Sequence, residues 1–74
     1  MPHVNLHYFE CFLSDSQKEQ LVTELMQTIS KVLGCSDEVI SISLCPEQPE
    51  QWQQKIVEPY FLNASDKLVK FANY

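Results

Sequence analysis

Arginine is absent from this chain of 74 residues, and all five of its basic side chains are lysines. Ten acidic residues outnumber them and give a formal net charge of −5 at pH 7. A protein that binds nucleic acid needs clustered cations to neutralise phosphates. The composition therefore argues against a nucleic-acid partner and, for the same reason, against an anionic membrane surface.

Glycine and paired cysteines are also scarce. One glycine cannot supply a Gly-rich nucleotide-binding loop, and Cys11, Cys35 and Cys45 contain no Cys-x-x-Cys pair. We expect three free thiols in the reducing cytoplasm. His3 and His7 would lie about 13 Å apart on a strand, so they cannot ligate one ion together. We therefore predict neither a metal nor a cofactor.

Long apolar runs are missing as well. No stretch approaches the ~18 residues of a membrane span, and the first ten residues contain His and Asn, unlike a signal peptide. Nevertheless, 45% of the residues are hydrophobic. A chain this short buries only about 60% of its unfolded surface, so we expect some apolar surface to meet a second subunit. We predict one domain over residues 1–74, in a cytoplasmic homodimer.

Two stretches alternate with the period of two that is typical of a strand with one buried face. The first covers residues 2–9, and the second is EVISISLC, residues 38–45. A helix between them requires parallel strands and a right-handed crossover. A two-stranded sheet with one helix does not close a core. The predicted fold class is therefore α/β (α+β). We expect a β-α-β subunit, and we expect dimerisation to complete its sheet.

The segment between these stretches predicts one long helix. Ser14 and Gln17 fit a capping box, and Asp15 suits the positive end of the helix dipole. Gly34 stands where a left-handed residue ends a helix. One apolar stripe recurs at helical spacing: Leu21, Val22, Leu25, Ile29, Val32 and Leu33.

The remainder of the chain predicts shorter elements. Pro49 suits the first turn of a helix, and Trp52 shares a helical face with two apolar residues. Pro59 should break or kink that helix. Residues 64–70 read as another short helix, with Asn63 or Ser65 as the cap, and the closing FANY reads as a docked tail.

These motifs together resemble the 4-oxalocrotonate tautomerase family. The resemblance runs through MPHVNLHYFE, LSDSQKEQLVTELMQTISKVLG and EVISISLC, and the tail with QPEQWQQ and KLVKFANY is most similar to its PptA-type subgroup. The resemblance implies an isomerase that works as a dimer, or as a hexamer built from dimers, with its site at a subunit contact. It also implies that the initiator Met is removed and that Pro2 is the catalytic residue.

The chemistry of a terminal proline agrees with that role. An ordinary terminal amine titrates near ~8, and an apolar pocket lowers the pKa of an amine because burial disfavours the charged form. Such an amine takes and returns a proton near neutral pH. Its rigid ring also fixes the nitrogen. We expect Pro2 to act as general base and then as general acid in a keto–enol exchange.

The chain departs from the family where the founding enzymes hold a dicarboxylate with two arginines. The first of these columns is occupied here by Phe12 or Cys11 and the second by Ser41. Without arginine the chain has no guanidinium group that could bind a carboxylate through two parallel hydrogen bonds. We therefore expect a 2-oxo acid or enol with one carboxylate and an aryl group, with Phe12 or Trp52 as the apolar wall. A lysine or a backbone N–H would meet the carboxylate.

The residues leave one alternative from a different class. It is a non-catalytic homodimeric protein on the same fold that retains Met1 and binds a small ligand. The missing arginines motivate this alternative, because they remove the family's principal carboxylate contacts.

Overall fold

The structure is a computed structural model that describes all residues, 1–74. Strand β1 covers His3–Phe9, helix α1 covers Asp15–Leu33, and strand β2 covers Ser41–Glu47. The two strands pair in one sheet. The predicted β-α-β order is confirmed, and no helix of the chain has the length and apolar character needed to cross a bilayer.

Helix α1 begins and ends where the sequence predicts. The Ser14 hydroxyl accepts from the Gln17 N–H at 3.1 Å, and the Gln17 side-chain oxygen accepts from the Ser14 N–H at 2.9 Å. Gly34 has φ 68° and ψ 37°, and its N–H donates to the Ser30 carbonyl at 2.9 Å. Both ends are therefore closed by local hydrogen bonds that satisfy free backbone groups.

The sheet is parallel, as expected. At its beginning the Ser41 N–H donates to the Pro2 carbonyl at 3.2 Å, and at its end the Glu10 N–H donates to the Glu47 carbonyl at 2.9 Å. Early residues of β1 thus pair with early residues of β2, which is the parallel register. This register places side chains of β1 beside side chains of β2, and the hydrogen bonds between them are described below.

The start of β2 differs from the prediction. Asp37–Val39 forms a 3-10 turn, and the strand begins at Ser41 instead of residue 38. The Ser36 hydroxyl accepts from the Glu38 N–H at 3.2 Å, so a local cap holds these residues out of the sheet.

Two compact units divide the chain, and the strands contribute residues to both. The first unit comprises residues 1–6 and 11–45, and the second comprises residues 7–10 and 46–74. In the second unit Ile56 is the one buried residue of the whole chain, with 6% of its surface exposed. A single domain over 1–74 stays a prediction.

The second unit contains an unusual helix. Pro49–Gln51 forms a 3-10 turn with Pro49 in its first turn, as predicted, and Gln53–Leu62 continues as a π-helix. This helix runs through Pro59, so of the predicted break or kink the break is absent, and a kink stays a prediction. The Asn63 N–H donates to the Glu58 carbonyl at 3.0 Å, five residues back. We attribute the wide turn to the proline ring, which clashes with the carbonyl four residues earlier in an α-helix.

The last residues are less regular than predicted. Only Ser65–Lys67 forms a helical turn, and Ala64 caps it without a side-chain hydrogen bond. The prediction that Asn63 or Ser65 caps this short helix is therefore wrong. The tail is held at Tyr74, whose hydroxyl accepts from the Trp52 indole N–H at 3.1 Å.

Candidate active site

Pro2 lies directly before β1 and is half-buried. Its carbonyl accepts from the Ser41 N–H, so the neighbouring strand holds its backbone. Met1 is completely exposed. The structure therefore brings together two of the predicted site residues, Pro2 and Ser41, at the start of the sheet.

A chain of side-chain hydrogen bonds begins at the same place. His3 Nδ1 lies 2.6 Å from the Ser41 hydroxyl, and His3 Nε2 lies 2.9 Å from the Asn5 side-chain oxygen. All three side chains are exposed. The sequence alone does not connect His3 to Ser41, because the connection depends on the register of the two strands.

Phe12 lies in the segment between β1 and α1 and is 88% exposed. Cys11, the alternative occupant of the same family column, is also exposed. Within the subunit Phe12 is therefore an open apolar side chain, and its predicted role as a wall of the substrate site stays a prediction.

Trp52 belongs to the second unit and forms part of an aromatic cluster there. Its ring meets Phe9 edge-to-face with centroids 5.0 Å apart, and its indole N–H donates to Tyr74. These three residues line a cavity of about 390 Å³, a volume within the range of small-molecule sites. Phe9 and Tyr74 were missed in the sequence, because three aromatic residues far apart in the chain give no local signal.

A charged cluster occupies another part of the second unit. The Glu47 carboxylate accepts from His7 Nδ1 at 2.9 Å and from Lys55 Nζ at 3.2 Å, while its side chain is only 11% exposed. The hydrogen bond from His7, and then Lys55, holds the pKa of Glu47 below its ordinary value although burial opposes this. The His7 ring also lies 6.0 Å from the Tyr60 ring. The two histidines therefore have different partners.

The arrangement offers proton-transfer chemistry. The first unit combines a proline at the start of a strand with an imidazole and a hydroxyl that share a hydrogen bond. No three His, Cys, Asp or Glu side chains converge as a metal site requires.

Comparison with known proteins gives the family. No family model matches the chain. Tautomerase PptA of Cronobacter sakazakii is 34% identical over 74 residues, which is 100% of this chain and 97% of the relative. Tautomerase PptA of Pectobacterium carotovorum is 28% identical over the same extents. The chain belongs to the PptA-like tautomerases of the 4-oxalocrotonate tautomerase family. Tautomerase PptA of Escherichia coli O127:H6 is 40% identical over 53 residues, 72% of this chain and 71% of the relative.

Membership confirms the resemblance that the sequence motifs indicated. The chain is an enzyme of the isomerase class, a tautomerase, and the alternative of a non-catalytic binding protein is set aside. The substrate and the roles of Pro2, Phe12, Ser41 and Trp52 stay predictions.

Proposed function

We propose that this chain catalyses the keto–enol tautomerisation of a 2-oxo acid, with the Pro2 amine as general base and then general acid. The observation that carries the proposal is the position of Pro2 in a member of a tautomerase family. It stands at the start of β1, half-buried, with its carbonyl held by the Ser41 N–H. A base fixed in this way loses little entropy when substrate binds.

The mechanism requires removal of Met1, because an amide nitrogen cannot act as a base. Met1 is completely exposed and has no side-chain hydrogen bond, so a processing enzyme can reach it. Removal converts the Pro2 nitrogen into a secondary amine on a rigid ring. Half-burial favours the neutral form of that amine, which is the form that accepts a proton.

The substrate we propose is an arylpyruvate-like acid or its enol. The chain has no arginine with which to bind a second carboxylate as a bidentate pair. Phe9, Trp52 and Tyr74 line an apolar cavity in the second unit, which supports an aromatic substituent. Within this proposal Trp52 and Phe12 provide apolar contacts, and Ser41 provides a polar one.

The proposal includes a homodimer in the cytoplasm, with a hexamer as the alternative assembly. Ile56 is the one buried residue, and many large apolar side chains are exposed, including Phe12, Val32, Leu33, Leu62, Val69 and Phe71. A second subunit would cover part of this surface. The cytoplasm would keep the three free cysteines reduced.

The test compares three forms of the chain in the ketonisation of phenylenolpyruvate. The Met1-free protein should be active, whereas Pro2→Ala should lose about 10² or more in kcat/KM, the usual contribution of a general base. Protein that retains Met1 is a matched control, because it has the same side chains without the free amine, and it should be inactive. Equal activity of Met1-free protein and Pro2→Ala would overturn the proline mechanism.

A further inference from the structure

The aromatic cavity of the second unit has two walls on regular elements and one wall outside them. Phe9 is the last residue of strand β1, and Trp52 lies between a 3-10 turn and the π-helix. Tyr74, the third wall, belongs to residues 69–74, which form neither helix nor strand. The backbone hydrogen bonds that fix the first two walls are therefore missing at the third.

Residues 69–74, here called the strap, have few contacts with the rest of the unit. All of them are exposed, Val69 completely and Phe71 to 68%. The last backbone hydrogen bond before the strap joins the Leu68 N–H to the Ser65 carbonyl at 3.1 Å, and the strap itself has none. A segment with a solvated backbone and few apolar contacts opens at a low cost in free energy.

Tyr74 is the residue that holds the strap in place. Its hydroxyl accepts from the Trp52 indole N–H at 3.1 Å, and this is the only hydrogen bond of the strap. Its ring lies 6.0 Å from the Phe61 ring, tilted by 37°. Tyr74 nevertheless remains 77% exposed, so water competes for its hydroxyl. The hydrogen bond between Trp52 and Tyr74 is therefore a latch that is easily released.

Once released, the strap is long enough to uncover the cavity. Its six residues extend to about 20 Å, while Leu68 stays half-buried as the anchor. The closed strap gives an aryl ligand a third aromatic wall, and the open strap leaves it two. Such a ligand binds the closed form better, and this difference in affinity is what allows a ligand to shift the equilibrium towards closure.

We propose that the strap is a lid on the aromatic cavity, which opens to admit an aryl ligand and closes over it, with the Trp52–Tyr74 hydrogen bond as its latch. This inference rests on the proposed function, which supplies the aryl group of an arylpyruvate-like acid as the ligand. Closure excludes water from the ring of that ligand. The latch sets the rates at which the ligand enters and leaves, and the three aromatic rings supply the affinity.

The deciding experiment measures the association and dissociation rates of phenylpyruvate by stopped-flow quenching of Trp52 fluorescence. It uses the full chain with Met1 retained, so that binding is observed without turnover. Tyr74→Phe keeps the ring and removes the latch. We expect both rates to rise about 3-fold, in the lower range for a hydrogen bond because Tyr74 is exposed, with Kd nearly unchanged.

Tyr60→Phe is the matched control. Tyr60 is an exposed tyrosine of the same unit, and its hydroxyl forms no hydrogen bond, so its removal should leave both rates unchanged. Sedimentation of each variant checks that assembly is the same. An unchanged association rate in Tyr74→Phe would overturn the lid, even if dissociation became faster, because Tyr74 would then be a fixed wall of the cavity.

A second measurement needs neither substrate nor catalysis. Acrylamide, a small neutral quencher, should quench the fluorescence of Trp52 more efficiently in Tyr74→Phe, by up to about 3-fold, because the open fraction grows by that factor. Tyr60→Phe should match the unaltered chain. If phenylpyruvate does not bind, the proposed aryl site fails by itself and acrylamide decides on the strap. Higher quenching in Tyr74→Phe then supports the lid, and equal quenching overturns it.

Discussion

Glu47 Oε2 lies 2.9 Å from His7 Nδ1, although the two residues are 40 positions apart in the chain. Lys55 Nζ reaches the other carboxylate oxygen at 3.2 Å. The pKa of Glu47 is lowered, first by the His7 hydrogen bond and then by Lys55. A glutamate whose pKa is lower in the folded than in the unfolded chain stabilises the fold above its ordinary pKa. That stabilisation disappears as pH falls through the folded pKa.

Glu47→Gln should lower the free energy of unfolding near neutral pH and have a smaller effect in acid. The reason is that protonation below the glutamate range already removes the charge of Glu47 in the unaltered protein. Urea unfolding near about pH 7 and about pH 3 measures the difference. Glu58→Gln, an exposed glutamate in the same unit, is the control and should show little change at either pH. An equal loss for Glu47→Gln at both pH values would contradict the assigned role of its charge.

Ser14→Ala should destabilise the protein by about 1 kcal/mol, the usual cost of losing a helix N-cap. The substitution removes the acceptor for the Gln17 N–H and with it half of the capping box. Ser16→Ala is the matched control, because Ser16 is an exposed serine in the first turn of the same helix and takes no part in the capping box. It should change stability by only a few tenths of a kcal/mol. Equal effects in urea unfolding would show that the cap contributes nothing.

The aromatic cavity should bind an aryl group next to Trp52. Because Trp52 is the one tryptophan of the chain, phenylpyruvate should quench its fluorescence while pyruvate should not. Phe9→Ala should weaken phenylpyruvate binding by about 5-fold, since an aromatic pair contributes ~0.5–1.5 kcal/mol. Tyr74→Phe keeps the ring and loses only the hydrogen bond to Trp52, so it should bind nearly as well. Equal quenching by pyruvate and phenylpyruvate would contradict an aryl site.

The subunit should associate in solution. The exposed apolar side chains on both units, such as Phe12 and Phe71, predict that sedimentation at micromolar concentration gives at least twice the subunit mass of 8.6 kDa. A mass of two subunits matches the proposed dimer, and six matches the alternative. A folded monomer at that concentration would be inconsistent with either assembly.

Local signals made the main elements predictable. The capping box at Ser14 and Gln17 and the left-handed Gly34 act within a few residues, so the sequence contains everything needed to place α1. The prediction that the second strand begins at residue 38 was wrong. The alternation of apolar and polar residues suggested a strand there, but Ser36 caps a 3-10 turn. At Pro59 the helix continues without a break, because a π-helix, wider than an α-helix, accommodates the ring.

Side-chain clusters could not be predicted in this way. The pairs His3–Ser41 and His7–Glu47 join residues about 40 positions apart, and they exist only because β1 and β2 are parallel in one particular register. A shift by one residue would send these side chains to opposite faces. Pro2 and Ser41 could be selected from the family resemblance, whereas the contact between Ser41 and His3 required the structure.

The most direct test of the account is an NMR titration of the ¹⁵N-labelled Pro2 nitrogen in Met1-free protein. The account predicts a titration midpoint below the ~8 of an ordinary exposed terminal amine, because a half-buried amine favours its neutral form. A short peptide that begins with the same residues is the reference. A midpoint in the folded protein equal to that of the peptide would contradict the claim that Pro2 is the acid–base group.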